Sequence, residues 1–191
     1  MTKTERRWGY VAVLAAVLAA GCGYNTIQTY DEQVNAAASQ IKVQLQRRAD
    51  LIPNLVETVK GYAKQEQTVF TEVAEARARL AGAVQSGNLQ QMAEANTALT
   101  APLGRLLAIA ESYPQLKSNE NFRGLQDQLE GTENRIAVAR QDYNETVNRY
   151  NAYIRRFPQV LTAKVLGKGP RPYFELETPG AAQAPKVDFS K

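Results

Sequence analysis

Between Phe122 and Ile154 the apolar residues advance by threes and fours without a slip, through Leu125, Leu129, Thr132, Ile136, Ala139, Tyr143, Val147 and Tyr150. Only an α-helix lays such a spacing on one stripe. Carried from the residue after Asn119 to Phe157-Pro158, the pattern covers about 38 residues, which at 1.5 Å each make a rod of roughly 57 Å. A rod that long cannot bury its stripe against itself, so other long helices must lie beside it.

The rest of the chain supplies them. From Thr26, residues Ile27, Val34 and Ile41, with Ala38 and Leu45, recur at heptad-like spacing, and Ile52, Leu55, Val59 and Tyr62 continue the phase. Within that run lies the polar stretch Arg47-Arg48-Ala49-Asp50-Leu51-Ile52-Pro53-Asn54-Leu55-Val56. Pro53 has no amide hydrogen, its ring crowds the carbonyl four residues back, and Ile52 is driven from helical angles. Asp50 is placed to cap a new helix with Pro53 in its first turn. A break or sharp kink between two helices is expected: the continuous phase favours a kink, the polar knot a tight turn.

A second pattern runs from Val69 through Phe70, Val73, Ala76 and Leu80 to Val84 and ends in the turn residues Ser86-Gly87-Asn88. A third follows from Leu89, bent by Pro102 and stopped by Tyr113-Pro114, and Ser118 or Asn119 caps the last. The expected fold is all-α, an antiparallel (up-and-down) bundle of about four long helices over residues 26–158. Residues 159–191 read as an extended or disordered tail: Gly167 to Pro172 is linker-like, Tyr173 to Leu176 suits a short extended piece, and Pro179 to Ala184 is rich in Pro, Gly and Ala.

Residues 1–21 have the form of a lipoprotein signal peptide. Lys3, Arg6 and Arg7 precede an apolar run from Trp8 to Ala20, shorter than the roughly 20 residues a spanning helix needs. Ala19-Ala20-Gly21-Cys22 resembles a bacterial lipobox, with Cys22 as the acylated residue and 22–25 as the lipid-anchored N-terminus; an uncleaved short anchor or a buried apolar segment are the alternatives. Two or more acyl chains hold a protein stably on a membrane. The bundle would then face the periplasm or the cell exterior. In a source with two membranes, Gly23 after the cysteine, rather than Asp, favours the outer one.

Composition closes several routes to function. There is no histidine and one cysteine, so Ser-His-Asp and Cys-His machinery and an intrachain disulfide are impossible. Net charge is +4, of which residues 1–21 hold about half, and no basic face is clustered as nucleic acid would require. Nucleic acid is therefore not an expected partner, and no cofactor or metal is expected. Ser39-Gln40-Ile41-Lys42 matches S-x-x-K but sits in a regular amphipathic pattern without the companion motifs. Glu72 with Glu75, or Glu130 with Glu133, would need an all-oxygen metal site; ordinary exposed helix faces account for them.

The polar residues beside the apolar seam stand out more. Glu133 and Arg140 are seven apart and one position from Thr132 and Ala139, while Asn144, Asn148 and Asn151 form a ladder beside Tyr143 and Tyr150. Arg47, Arg48, Asp50 and Asn54 are placed to meet such groups across the bundle. Two roles are open: polar contacts that fix helix register, or a polar groove that receives a partner or small ligand. Ala36 to Ala38 opposite Ala137 and Ala139 is a candidate cavity, with tight alanine packing as the simpler account.

Several motifs resemble the LemA family of bacterial membrane-associated proteins: Arg47 to Val56 with Val59-Lys60-Gly61-Tyr62, Tyr113-Pro114-Gln115-Leu116-Lys117, and Asn119-Glu120-Asn121-Phe122 with Leu125-Gln126. Thr132-Glu133-Asn134-Arg135-Ile136, Ala139-Arg140, Tyr143-Asn144, Tyr150-Asn151 and Phe157-Pro158 follow in order. The resemblance spans about Gly23 to Glu175. It implies an antiparallel helical bundle outside the cytoplasm, tethered by its N-terminus, and carries no catalytic residues. The expected function is that of a non-catalytic, membrane-anchored scaffold or interaction protein of the bacterial envelope, bound to envelope proteins and open to homo-oligomerisation. The alternative is an envelope enzyme or small-ligand-binding protein using a groove or cavity.

Overall fold

A computed structural model describes residues 23–174, and these are all-α: six helices and no strand among the described residues. They are α1 (Tyr24–Lys60), α2 (Gln67–Ser86), α3 (Leu89–Glu111), α4 (Pro114–Lys117), α5 (Glu120–Ile154) and α6 (Gln159–Val165). The signal-like segment with Cys22, and the stretch from 175 that includes Pro179 to Ala184, lie outside the described residues. No helix among the described residues is long and apolar enough to cross a membrane. Two compact units are present, one of residues up to 48 with 127–173, the other of 49–126 with 174. Both α1 and α5 contribute to each.

In the first unit the early part of α1 and most of α5 run antiparallel. Tyr30 meets Tyr153 edge to face at 5.2 Å, and Arg48 pairs with Glu133, so partners on α5 fall in number as α1 advances. Ile27, Val34 and Ile41 on α1, with Ile136, Tyr143 and Tyr150 on α5, are buried at seven-residue steps. That is a coiled-coil seam.

The chain after Pro158 departs from the expected tail. Residues 159–165 are helical, and only from Lys168 does the backbone run extended. Pro170 and Pro172 fix their own φ and hold Gly169 and Arg171 out of the helical region. A backbone so extended has no internal hydrogen bonds, and its polar groups must find partners elsewhere. They find them on α5. Tyr150 donates its hydroxyl to the Gly169 carbonyl at 3.2 Å, Tyr143 donates to the Pro172 carbonyl at 3.0 Å, and Asn151 brackets Arg171. The spacing matches: seven helical residues rise about 10.5 Å, and three residues of polyproline-II chain span about 9.3 Å. Residues 168–173 are thus a strap laid along α5.

The second unit holds the end of α1 and the hairpin α2–α3, whose helices pack together. Gly87 ends α2 at φ 73°, a left-handed conformation in which glycine carries no Cβ penalty. Asn88 caps α3 by accepting from the amides of Gln90 and Gln91. Asn119 caps α5 as expected, accepting from Phe122 at 3.1 Å.

Of the break and the kink left open at Pro53, the break does not occur: α1 runs continuously from Tyr24 to Lys60, and Asp50 lies inside it instead of capping a new helix. Proline in a helix interior removes the bond to the carbonyl four residues back, here Ala49, at about 3 kcal/mol. Arg77 of α2 supplies the missing donor, its Nε lying 3.2 Å from that carbonyl. Ile52 and Leu55, at most 1% exposed, hold the helix on either side. Burial at about 1.5–3 kcal/mol for each such side chain outweighs the lost bond. Pro102, likewise expected to bend its helix, is buried within an unbroken α3.

Candidate functional site

The polar residues that the sequence singles out do not form one cluster. Arg48, Glu133 and Arg140 come together in the first unit. Arg48 is 6% exposed at its side chain and pairs through Nη1 with Glu133, which is half exposed. Burial holds the Arg48 and Arg140 guanidinium pKa values below their usual range, opposed in each case by the Glu133 charge. Glu133 thus pairs with Arg48 and lies within electrostatic reach of Arg140 at the edge of the seam. Arg47 is exposed on α1, and Asp50 and Asn54 are exposed in the second unit, so these three stand apart from that cluster.

Beside Arg140, α5 carries a polar cleft of about 560 Å³ lined by Arg140, Gln141, Asn144, Glu145, Asn148, Ala137 and the strap residue Tyr173. Tyr173 donates its hydroxyl to Asn148 at 3.4 Å. The helical spacing of Gln141, Asn144 and Asn148 puts their amides on one face. Asn151, the last rung of the expected ladder, is 5% exposed and committed to the strap: its Nδ2 donates to the Arg171 carbonyl at 2.9 Å, and its Oδ1 accepts from the Arg171 amide at 2.8 Å. A primary amide on this face thus reads both polar groups of one extended residue.

The alanines come out divided. Ala36, Ala37 and Ala139 line a groove of about 600 Å³ between α1 and α5, whereas Ala137 faces the polar cleft. Ser39 donates to the Asn35 carbonyl at 2.9 Å on an exposed face. Glu72 pairs with Arg105, and Glu145 with Arg149 at 3.7 Å.

One buried polar centre lies outside the set the sequence singled out. Asp31, 7% exposed, accepts from Lys168 Nζ at 2.6 Å and from Arg171 Nη2 and Nε at 2.7 and 3.2 Å. Burial pushes its carboxyl up, but hydrogen bonds and charge from Lys168 and Arg171 outweigh that and hold it below the usual carboxylate value. Arg171 also reaches Asn35 at 3.3 Å. A signal was present in the sequence: Asp31 falls four residues after Ile27 and three before Val34, on the apolar stripe, where an acid needs a buried partner. Tyr143 and Tyr150, donors to the strap, have their phenol pKa values raised by burial.

The LemA family model matches residues 37–189. The chain belongs to the LemA family. Its similarity extends to magnetosome proteins MamQ 2 and MamQ 1 of Paramagnetospirillum magneticum, each 28% identical over 193 residues, covering 89% of this chain and 70% of theirs. The magnetosome protein MamQ of Magnetospirillum gryphiswaldense is 28% identical over 180 residues, covering 82% of this chain and 66% of its own. The interval shared with the LemA family takes in Arg48, Glu133, the cleft residues of α5 and the strap, and leaves out Asp31 and Cys22.

Proposed function

We propose that this LemA-family chain is a non-catalytic scaffold of the bacterial envelope, anchored through acylated Cys22, that receives protein partners in the polar cleft of α5. The observation that carries the reading is the chemistry of that cleft. Its lining combines the amides of Gln141, Asn144 and Asn148 with one guanidinium, one carboxylate and one phenol, and holds no serine, cysteine or histidine. Asn151 shows what such amides do on this helix, since it holds an extended peptide unit by both its amide and its carbonyl. The cleft is open, while small-molecule sites enclose most of the ligand surface. A protein segment therefore fits it better than a metabolite. Relatives named as magnetosome proteins support a setting within an organised subcellular structure.

Two measurements test the proposal. The intact mass of protein taken from its host membranes is expected to correspond to a chain starting at acylated Cys22, and to lose that form in Cys22→Ala; an unprocessed chain starting at Met1 refutes the anchor. A photo-crosslinker at position 148 is expected to yield a defined adduct in those membranes that disappears with Arg140→Ala. The same adduct from exposed position 152, or none from 148, refutes the cleft as the docking surface.

A further inference from the structure

The groove between α1 and α5 lies on a different face from the polar cleft, and its inference stands apart from the proposed function. Ala36, Ala37 and Ala139 line it, together with Arg135 and Asp142. Val138, which also lines it, is 59% exposed, and Val43 on the adjoining turn of α1 is 56% exposed. The face thus carries exposed valines beside a groove lined by small residues. Gln44 lines the same groove, and its Oε1 is shielded from solvent yet meets no donor among the described residues. Such an atom ordinarily has a partner.

The charges decide which partner. Arg135, Val138 and Asp142 lie at i, i+3 and i+7 on α5, with Arg135 and Asp142 about 10.5 Å apart along the axis. The Arg135 guanidinium makes one long contact, 3.4 Å to Thr132 Oγ1, and no cation meets the Asp142 carboxylate among the described residues. A two-fold axis through this turn sets α5 antiparallel to its copy, with paired residue numbers keeping a constant sum. The register that puts Arg135 on the partner's Asp142 also puts Val138 on the partner's Ala139. One register therefore satisfies both charges twice and sets each exposed valine against a small residue. Such self-complementarity is what an isologous contact requires, and an unrelated helix has no need of it.

We infer that a second copy of this chain docks here, forming an antiparallel homodimer through the α1/α5 groove centred on Val138 and Ala139.

The test uses the full chain in detergent, followed by sedimentation at concentrations up to about 100 μM, where contacts far weaker than those of stable complexes still register. The wild-type chain is expected to sediment as a dimer. Arg135→Glu sets a carboxylate against the partner's Asp142 at both ends, and dimerisation is expected to weaken about tenfold or more. Asp142→Arg is expected to do the same, and the double swap Arg135→Glu with Asp142→Arg to restore the dimer. Both residues are exposed, so helicity by circular dichroism should stay unchanged throughout. In a Cys22→Ala background, where the introduced thiol is the only one, Val138→Cys is expected to form a disulfide-linked dimer and Ala137→Cys none. A monomeric wild-type chain overturns the inference and leaves the groove to a helix of another protein. A dimer indifferent to the charge swaps, or crosslinked equally from both positions, overturns it too.

Discussion

Replacing Asp31 with asparagine isolates what holds the strap on the helix pair. The wild-type carboxylate accepts three hydrogen bonds from two cations, at 2.6, 2.7 and 3.2 Å. Asparagine keeps the shape and one acceptor oxygen but loses the charge and at least one of the short bonds. Bonds to charged groups contribute about 1.5–3 kcal/mol each. Lys168 and Arg171 are 29% and 38% exposed at their side chains, so water recovers part of the loss. The net expectation is about 2–3 kcal/mol, a rise of roughly 30- to 160-fold in the population with the strap open. Hydrogen exchange reads it directly. The Arg171 amide, held by Asn151 at 2.8 Å, should lose that much protection, while amides in the middle of α5 lose far less.

The same centre has a signed pH dependence. The Asp31 carboxyl is held below its usual value in the folded chain, so its stabilising contribution is present in full above the unfolded value of about 4. It fades as pH falls through the lower folded value. Strap protection, taken relative to the intrinsic exchange rate at each pH, should fall across that acid window in the wild type and change little there in Asp31→Asn. Equal loss of protection in strap and helices, or an unchanged Arg171 amide, would refute the idea that this carboxylate fastens the strap.

Two further substitutions probe the other polar contacts. Arg77→Ala should destabilise the chain by about 1–2 kcal/mol, because the Ala49 carbonyl then has neither an amide nor a guanidinium donor. In a Pro53→Ala background, where the helix again supplies an amide, the same change should matter much less, as a double-mutant cycle in denaturant would show. Glu133→Ala should lower the melting temperature more than Arg48→Met: the first removes the carboxylate paired with a buried cation that stays in place, while the second replaces the buried charge by an apolar chain of similar length. The reverse order would show that Glu133 has little to do with holding Arg48.

Helix existence and phase were legible because they rest on spacing alone. The step from Ile136 to Tyr143 to Tyr150 needs no knowledge of a partner, and neither does the turn chemistry of Gly87 or the cap at Asn119. At Pro53 the continuous phase was the better guide, and the tight turn failed for the complementary reason. Local sterics argue for a break, and the argument is sound for an isolated helix. The donor that repairs it is Arg77, 28 positions from the Ala49 carbonyl it meets, and nothing local to Pro53 announces it. The LemA resemblance ran through that very stretch without deciding between kink and turn.

The strap shows a different limit. Residues 168–173 look like a linker because glycine and proline forbid helix and sheet, and a chain with no internal hydrogen bonds is usually left to solvent. What rescues it is a coincidence of two repeats, seven residues of α5 against three of extended backbone, which brings each carbonyl of Gly169 and Pro172 under a tyrosine hydroxyl. Tyr143 and Tyr150 could be read as core residues from their spacing, but a buried phenol also needs an acceptor. Asp31 could be read as out of place among Ile27 and Val34. Each is an unmet demand within its own helix, and the strap is the one segment of the first unit that meets all of them at once. Counting the polar groups that an apolar stripe leaves unsatisfied would therefore have placed residues 168–173 inside the fold without any helix or strand propensity to recommend them.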